Sequence, residues 1–207
     1  MSFPTANRRD VIRLGLLSLS AAALSPAMAS AAVDPMSKEA VLFDPEVPVL
    51  GNPKGDVTLV EFFDYQCPYC KSAHPGIARL VARDGKIRHV MKDWPIFGAP
   101  SEYASRLTLA AGRGHAKAQA ALMATKARLT IEDVDTALAN AGFDPRKLKT
   151  AYEADRKRID GILQRNGVQA ENFGLMGTPA YIVGTVLFPG VMETAVLEAA
   201  IVQARKG

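Results

Sequence analysis

Apolar residues in the first half of the chain follow two patterns, one typical of strands and one typical of a helix. Val57–Phe63 is a short, nearly continuous apolar run, and Ile87–Trp94 is a second one, ended by Pro95. Between them, Tyr69–Ala82 carries apolar residues at helical spacing, and Gly85 follows as a stop signal. This order predicts a strand–helix–strand unit with parallel strands and a right-handed crossover.

From residue 100 to residue 173 the pattern is helical throughout. Helix-capping residues and stop signals divide this stretch into four predicted helices. These are a helix capped by Ser101, a helix over Lys117–Ala127, a helix capped by Thr130 and stopped by Gly142, and one long helix opened by Asp144-Pro145.

Strand patterns return near the end of the chain. Ala180–Val183 and Val186–Phe188 flank a Gly184-Thr185 turn, which predicts a hairpin. An amphipathic helix over Glu193–Ala204 closes the chain. Pro179 stands at the entrance of the hairpin, where a proline is tolerated at an edge or a bulge.

The two cysteines of the 207 residues stand directly after the first strand, as Cys67-Pro68-Tyr69-Cys70. Pro68 suits a first helical residue, so Cys67 lies at a helix N-terminus and Cys70 one turn further in. Such a position lowers a cysteine pKa from about 8.5 to roughly 3.5–7.5. We therefore expect an exposed, acidic nucleophile at Cys67 and a sheltered resolving thiol at Cys70.

Three other readings of the cysteine pair compete with a redox role. A structural disulfide across three residues closes too small a loop to constrain the unfolded chain much. A zinc site could recruit His74, but it lacks a fourth nearby ligand, and His89 and His115 are isolated in the sequence. Haem attachment needs a histidine where Lys71 stands. These considerations favour the redox pair.

Glu61 is a carboxylate within an apolar strand, six residues before Cys67. Burying a charge is costly unless the group is paired or used. A functional buried acid and an outward-facing residue on an edge strand both remain open at this point.

Residues 1–29 have the pattern of an export signal. Arg8 and Arg9 precede an apolar run, and Ala27-Met28-Ala29 fits a small-x-small cleavage site. The stretch from Arg8 to Arg13 resembles a twin-arginine motif, with Asn7 where Ser or Thr is commoner, so both the twin-arginine and the Sec routes stay open. We expect a periplasmic protein.

The net charge argues against one class of partner. Without the signal the net charge falls from +4 to +2, and no basic patch is interleaved with aromatic residues, which argues against nucleic-acid binding.

The N-terminal segment, residues 30–50, contains Pro35, Pro45 and Pro48. Met36–Phe43 offers two helical turns at most, too few for an association helix, so we expect a monomer.

Taken together, these motifs resemble the DsbA-like thiol–disulfide oxidoreductases of the thioredoxin superfamily, in the exported bacterial branch that includes the suppressor-of-copper-sensitivity proteins. The resemblance spans roughly residues 42–205 and rests on five features, namely Glu61, Cys67-Pro68-Tyr69-Cys70, Pro75, Trp94-Pro95 and Gly177-Thr178-Pro179.

The resemblance implies an α/β thioredoxin fold, residues 41–99 plus 174–207, with an inserted helical domain at residues 100–173. It also implies that Glu61 relays a proton for Cys70, and that Pro179 is a cis-proline facing the cysteines. Thr178, Pro179, Pro68 and Tyr69 are then expected to contact the substrate. The Pro-Tyr dipeptide departs from the Pro-His of the most oxidising relatives, which leaves the oxidising strength open.

The function implied by the resemblance is disulfide exchange with exported client proteins, catalysed by Cys67, Cys70 and Glu61. This chemistry needs no metal and no organic cofactor. A membrane thiol oxidase or reductase is expected to reset the active site. The alternatives are a disulfide isomerase or reductase of the same fold, or a copper- or zinc-binding thiol protein.

Overall fold

The computed structural model describes residues 34–126 and 128–206. The predicted export signal at residues 1–29 therefore lies outside the described residues. Within the two described ranges, none of the helices has the length and hydrophobicity needed to span a bilayer.

A mixed sheet forms the centre of this part of the chain. Its strands are β1 (Val49–Gly51), β2 (Val57–Phe63), β3 (Ile87–Asp93), β4 (Ala180–Val183) and β5 (Val186–Pro189). They lie in the order β1-β3-β2-β4-β5, and only the β2–β3 pair is parallel. The predicted strand–helix–strand unit and the predicted hairpin are confirmed, whereas β1 was missed because a three-residue strand leaves no periodicity.

Helices surround the sheet and fill the stretch between β3 and β4. They are α1 (Lys38–Leu42), α2 (Pro68–Asp84), α3 (Ala99–Ala110), α4 (His115–Met123), α5 (Ile131–Asn140), α6 (Pro145–Ala154), α7 (Arg156–Asn172) and α8 (Thr194–Ala204), with a short 3-10 turn at Gly112–Gly114. The mixed α/β architecture predicted from the sequence is confirmed.

The two faces of the sheet are covered by different helices. On one face, Leu59 and Tyr181 pack against α2 and α8. On the other face, Val60 and Phe62 pack against α7. All seven residues of β2 are buried, as expected for the central strand of a sheet covered on both sides.

Helix predictions for the stretch between β3 and β4 succeed at one place and fail at three. Thr130 caps α5, as predicted, and it forms a full capping box with Asp133. Ser101 does not cap α3, and Gly98 is the N-cap residue. The Ser101 hydroxyl cannot act as the cap because it donates to the Asp64 carboxylate at 2.6 Å. The other two errors concern α4 and the predicted long helix.

The predicted helix over Lys117–Ala127 begins and ends earlier, as α4. Lys71 donates to the carbonyl oxygen of Leu122 and to the Thr125 hydroxyl, both at 2.7 Å, which fixes the chain just where the helix ends. The predicted long helix is two helices, because the backbone leaves the helical region at Asp155 (φ −122°, ψ 21°). No glycine or proline marks this break in the sequence.

Candidate active site

The turn between β2 and α2 places Cys67 at the start of α2. Cys67 is the N-cap residue, and its Sγ accepts the backbone N–H of Cys70 at 3.4 Å. Pro68 follows within the first turn, where its missing N–H leaves no gap in the helix. The sulfur takes the place of the side-chain oxygen that usually caps a helix, so the N-terminus stabilises a negative charge on it.

Several hydrogen-bond donors lower the pKa of Cys67 to about 6. The largest contribution is a hydrogen bond from the Cys70 thiol; the backbone N–H groups of Cys70 and Tyr69 add to it, and burial opposes them. The direction agrees with the helix-terminus argument. The larger contribution of the Cys70 thiol was not anticipated from the sequence.

Cys67 is nevertheless not exposed, so that part of the prediction is wrong. Its relative exposure is 1%, and its Sγ lies 3.2 Å from the carbonyl oxygen of Thr178. The Thr178–Pro179 peptide bond is cis. The reason for the burial is the register of β4: Ala180 pairs with Phe62, which brings the residues just before β4 alongside the end of β2.

Cys70 is fully buried one turn further along α2. Burial raises the pKa of its thiol far above the ordinary value, and its hydrogen bond to Cys67 and the charge of Glu61 raise it further. The two sulfurs therefore differ sharply in acidity, with the proton held on Cys70.

Glu61 lies in the middle of the central strand, which excludes the edge-strand reading. It pairs with Met91 of β3 on one side and with Tyr181 of β4 on the other, and its relative exposure is 1%. Its Oε2 lies 2.9 Å from Nε2 of His89, while Oε1 is buried without a partner. His89 is therefore not isolated. In sequence it is in phase with the apolar residues Ile87 and Met91, the signal that could have shown it to be buried.

Asp64 organises the active-site turn and was missed by the sequence analysis. Its carboxylate accepts the backbone N–H groups of Gln66 at 2.6 Å, Ile96 at 2.7 Å and Phe97 at 3.1 Å, as well as the Ser101 hydroxyl. A carboxylate with this many donors fixes the backbone just before Cys67. Its place between the buried strand and the cysteine pair was a signal that could have pointed to it.

Two polar side chains connect this turn to the helices between β3 and β4. Gln66 donates to the carbonyl oxygen of Phe97 at 2.9 Å and accepts the N–H of Leu129 at 3.0 Å. Lys71, next to Cys70, bonds to the end of α4 as described above, and burial lowers its pKa to about 8. The position of the redox pair thus depends on the helices as well as on the sheet.

Exposed apolar side chains lie on both segments that flank Cys67. Tyr69 is 61% exposed and Met176 is 99% exposed. Phe97, held by the Asp64 network, is about half exposed. These residues are available for contact with an apolar segment of another protein.

Within residues 34–126 and 128–206, no group of three or more His, Cys, Asp or Glu side chains could hold a metal ion. His74, considered above as a zinc ligand, is partly buried on α2. Burial lowers its pKa, and Glu61 and His89 are near enough to affect it.

The profile of the thioredoxin family matches residues 44–203, well over half of the chain. The chain belongs to the thioredoxin family. A search of curated proteins finds no match.

Solved structures of this family resemble the chain closely. A thioredoxin-like oxidoreductase from Silicibacter pomeroyi DSS-3 is 36% identical with a TM-score of 0.78, over 83% of this chain and 99% of that one. The thiol-disulfide exchange protein alpha-DsbA2 from Wolbachia pipientis is 27% identical with a TM-score of 0.73, over 78% and 89%. A periplasmic thioredoxin-like protein from Salmonella enterica serovar Typhimurium is 29% identical with a TM-score of 0.73, over 82% and 95%.

These likenesses confirm the DsbA-like resemblance and the thioredoxin fold. With the Cys67–Cys70 pair, they identify this thioredoxin-family protein as an oxidoreductase that acts on thiols and disulfides.

Proposed function

We propose that this protein exchanges disulfides with exported client proteins, with Cys67 as the sulfur that bonds to the client and Cys70 as the resolving thiol. One observation supports these roles above all others. The Cys70 thiol is the largest cause of the lowered pKa of Cys67, while burial raises the pKa of Cys70 itself. One sulfur is thus ready to attack or leave as a thiolate, and the other keeps its proton until it resolves the mixed disulfide.

The lowered pKa also bears on the direction of exchange. A thiol with a pKa of about 6 is mostly ionised at pH 7, whereas a free cysteine is mostly protonated. Ionisation therefore stabilises the reduced form by about 1.4 kcal/mol more than in a free cysteine, equivalent to roughly one pKa unit. This stabilises the reduced pair and makes its disulfide about 30 mV more oxidising. The effect favours disulfide donation, although it is modest.

In the donating direction, a client thiolate attacks Sγ of Cys67 and breaks the Cys67–Cys70 bond. Cys70 leaves with the electron pair and takes a proton from Glu61, which lies near enough for its charge to raise the pKa of Cys70. The client's second thiolate then attacks the client sulfur that is bonded to Cys67. This forms the client disulfide and releases Cys67 as a thiolate. The client has lost two electrons and the protein has gained them.

The client contacts in this proposal lie on both flanks of Cys67. Thr178 and Pro179 offer backbone to an extended client segment, and Pro68 and Tyr69 lie exposed on the opposite side. The exposed apolar side chains of Tyr69 and Met176 favour contact with apolar client segments.

The setting of this activity is part of the proposal. We place the protein in the periplasm after removal of residues 1–29, supported by the periplasmic relative from Salmonella enterica. A membrane thiol oxidase or reductase resets the pair, and export runs through the twin-arginine or the Sec route. Residues 100–173 are proposed as a helical insertion between the two parts of the thioredoxin domain, 41–99 and 174–207.

A direct test follows one disulfide from protein to client. The oxidised mature protein is mixed with a reduced, unstructured peptide that carries two cysteines, and acid-quenched samples are analysed by mass spectrometry. We expect the peptide to lose two hydrogens as the protein gains two. A variant with both Cys67→Ser and Cys70→Ser is the control. Peptide oxidation no faster than in this control would contradict the proposed function.

A further inference from the structure

Three polar side chains lie on one face of the sheet beneath Cys70. Glu61 of β2 pairs directly with Tyr181 of β4, and His89 of β3 pairs with Leu59, two residues before Glu61. All three are buried. The charges of Glu61 and Cys70 both contribute to raising the pKa of Tyr181, after the larger effect of burial, which places its ring near both groups.

Only one contact ties Glu61 to another side chain in this group. Its Oε2 is 2.9 Å from Nε2 of His89, whereas its Oε1 and the Tyr181 hydroxyl are buried without partners in the described part of the chain. Oε1 is thus the carboxyl oxygen left free to exchange a proton with Cys70. The imidazole holds the other oxygen in place.

His89 also reaches a second environment, an open cavity of about 230 Å³ between β1, α2 and α4. His74 and His89 both line it, and the exposed residues Ala78, Ala82 and Ala116 stand at its rim. The cavity is large enough for water, and imidazole and backbone groups give that water polar partners. The ring of His89 therefore stands between a buried carboxyl group and solvent.

We propose that His89 is the residue that positions Glu61 and exchanges its proton with water in this cavity. The proposal rests on the disulfide-exchange function proposed above and deepens it. A neutral imidazole can accept a proton at one nitrogen and release one from the other, which suits a group with a carboxyl on one side and water on the other. His74 stands at the cavity as a second group that can accept the released proton.

The proton follows a balanced path in the resolving step. Cys70 gives its proton to Glu61 as the Cys70–Cys67 bond forms, the Cys67–client bond breaks and the client thiolate leaves. The protonated carboxyl group of Glu61 then turns toward His89 and gives this proton to Nε2, which is unprotonated while Nδ1 carries the ring hydrogen. Nδ1 then releases its own proton to cavity water. When the protein donates its disulfide, the same path runs in reverse and delivers a proton to Cys70.

The groups around His89 determine how this path responds to pH. Glu61 faces it from β2, and Cys70, Lys71 and His74 belong to α2. Tyr181 faces Glu61 from β4. At the cavity, α4 contributes Ala116 and β1 contributes Leu50 and Gly51, none of which titrates.

The experiment separates attack by Cys67 from resolution by Cys70. Reduced protein is mixed with oxidised glutathione, quenched in acid at successive times, and the reduced, glutathionylated and internally oxidised forms are measured by mass spectrometry over a range of pH. The variants are His89→Gln, which keeps an N–H donor but cannot relay a proton, and His89→Ala, which opens space for added imidazole. His115→Gln is the matched control, since His115 is equally buried but neither of its nitrogens has a partner in the described chain.

We expect attack at the wild-type rate in all variants and resolution slowed roughly a hundredfold in both His89 variants, the lower end of the typical range of proton-transfer effects. Free imidazole should restore resolution in His89→Ala, and the pH profile should change in His89→Gln. Wild-type resolution in His89→Gln, equal slowing in His115→Gln, or loss of folding in both His89 variants would overturn the proposal. Failure of the wild-type protein to form any glutathionylated or oxidised species would contradict the proposed function instead.

Discussion

The Cys67 thiol donates a hydrogen bond to the carbonyl oxygen of Thr178, across 3.2 Å and 111 positions of sequence. A thiolate has no proton to donate, so ionisation of Cys67 removes this bond and frees the carbonyl. Because the pKa of Cys67 is about 6, this occurs in most molecules at neutral pH. The same ionisation that activates the sulfur thus releases a backbone acceptor for the client.

The first prediction concerns the separate roles of the cysteines. Cys70→Ser should accumulate covalent client complexes through Cys67, since the resolving thiol is gone, and Cys67→Ser should form none. Non-reducing electrophoresis of each variant after incubation with a cysteine-containing client measures the complexes. Equal trapping by both variants would contradict the assignment.

The second prediction concerns Glu61→Gln. Attack by Cys67 should stay near the wild-type rate, whereas resolution should slow by roughly a hundredfold or more because Cys70 loses its proton acceptor. Replacing a buried carboxyl group whose Oε1 has no partner should also leave stability unchanged or raise it. Quenched-flow mass spectrometry and denaturant unfolding measure the two effects. Glu153→Gln, at an exposed carboxyl, serves as the control; an unchanged resolution rate across pH in Glu61→Gln would remove Glu61 from the mechanism.

The third prediction concerns Asp93, a fully buried carboxyl group at the end of β3. Neither of its oxygens has a partner at hydrogen-bond distance in the described chain, and burial raises its pKa from 3.8 to about 7. Between pH 3.8 and about pH 7 the Asp93 carboxyl group is ionised in the unfolded chain and protonated in the folded protein. Folding stability should therefore fall as pH rises from about 4 to 7, by up to roughly 4 kcal/mol from this group.

Asp93→Asn should remove this pH dependence, because the amide does not titrate. Denaturant unfolding at several pH values between 4 and 7 measures it, with Asp56→Asn as a control at an exposed position. Parallel stability–pH curves for the wild type and Asp93→Asn would show that the Asp93 carboxyl is not protonated in the folded protein.

The fourth prediction is that the mature protein is a monomer. The helix α1 has only five residues, and Ala40, Val41 and Leu42 are buried against the rest of the chain. No apolar face of α1 is left for association with a second copy. Light scattering at micromolar concentration should give the monomer mass, and a stable dimer or trimer would reopen the isomerase alternative.

Sequence patterns predicted those parts of the fold that rest on local chemistry. The β2 strand, α2, the hairpin and the helix cap at Thr130 follow from periodicity, caps and turn residues. The acidity of Cys67 also followed, in direction, from its place at a helix start. These features depend on neighbours within a few positions of the chain.

The remaining features depend on contacts between distant residues, which periodicity does not record. Glu61 is paired with His89, 28 positions away, and Asp64 accepts the hydroxyl of Ser101, 37 positions away. The burial of Cys67 follows from the register between β2 and β4. Each of these was missed or misjudged because the tertiary fold, and not the local pattern, brings the residues together.

The central claim is that the Cys70 thiol holds Cys67 as a thiolate, and titration of the thiolate by its ultraviolet absorbance tests it most directly. We expect a pKa near 6 for Cys67 in the reduced wild-type protein, and a higher value in Cys70→Ala, where the main donor is missing. Cys67→Ala should show no titration in this range, since burial keeps the proton on Cys70. A wild-type Cys67 that titrates at about 8.5, as a free cysteine does, would contradict the account.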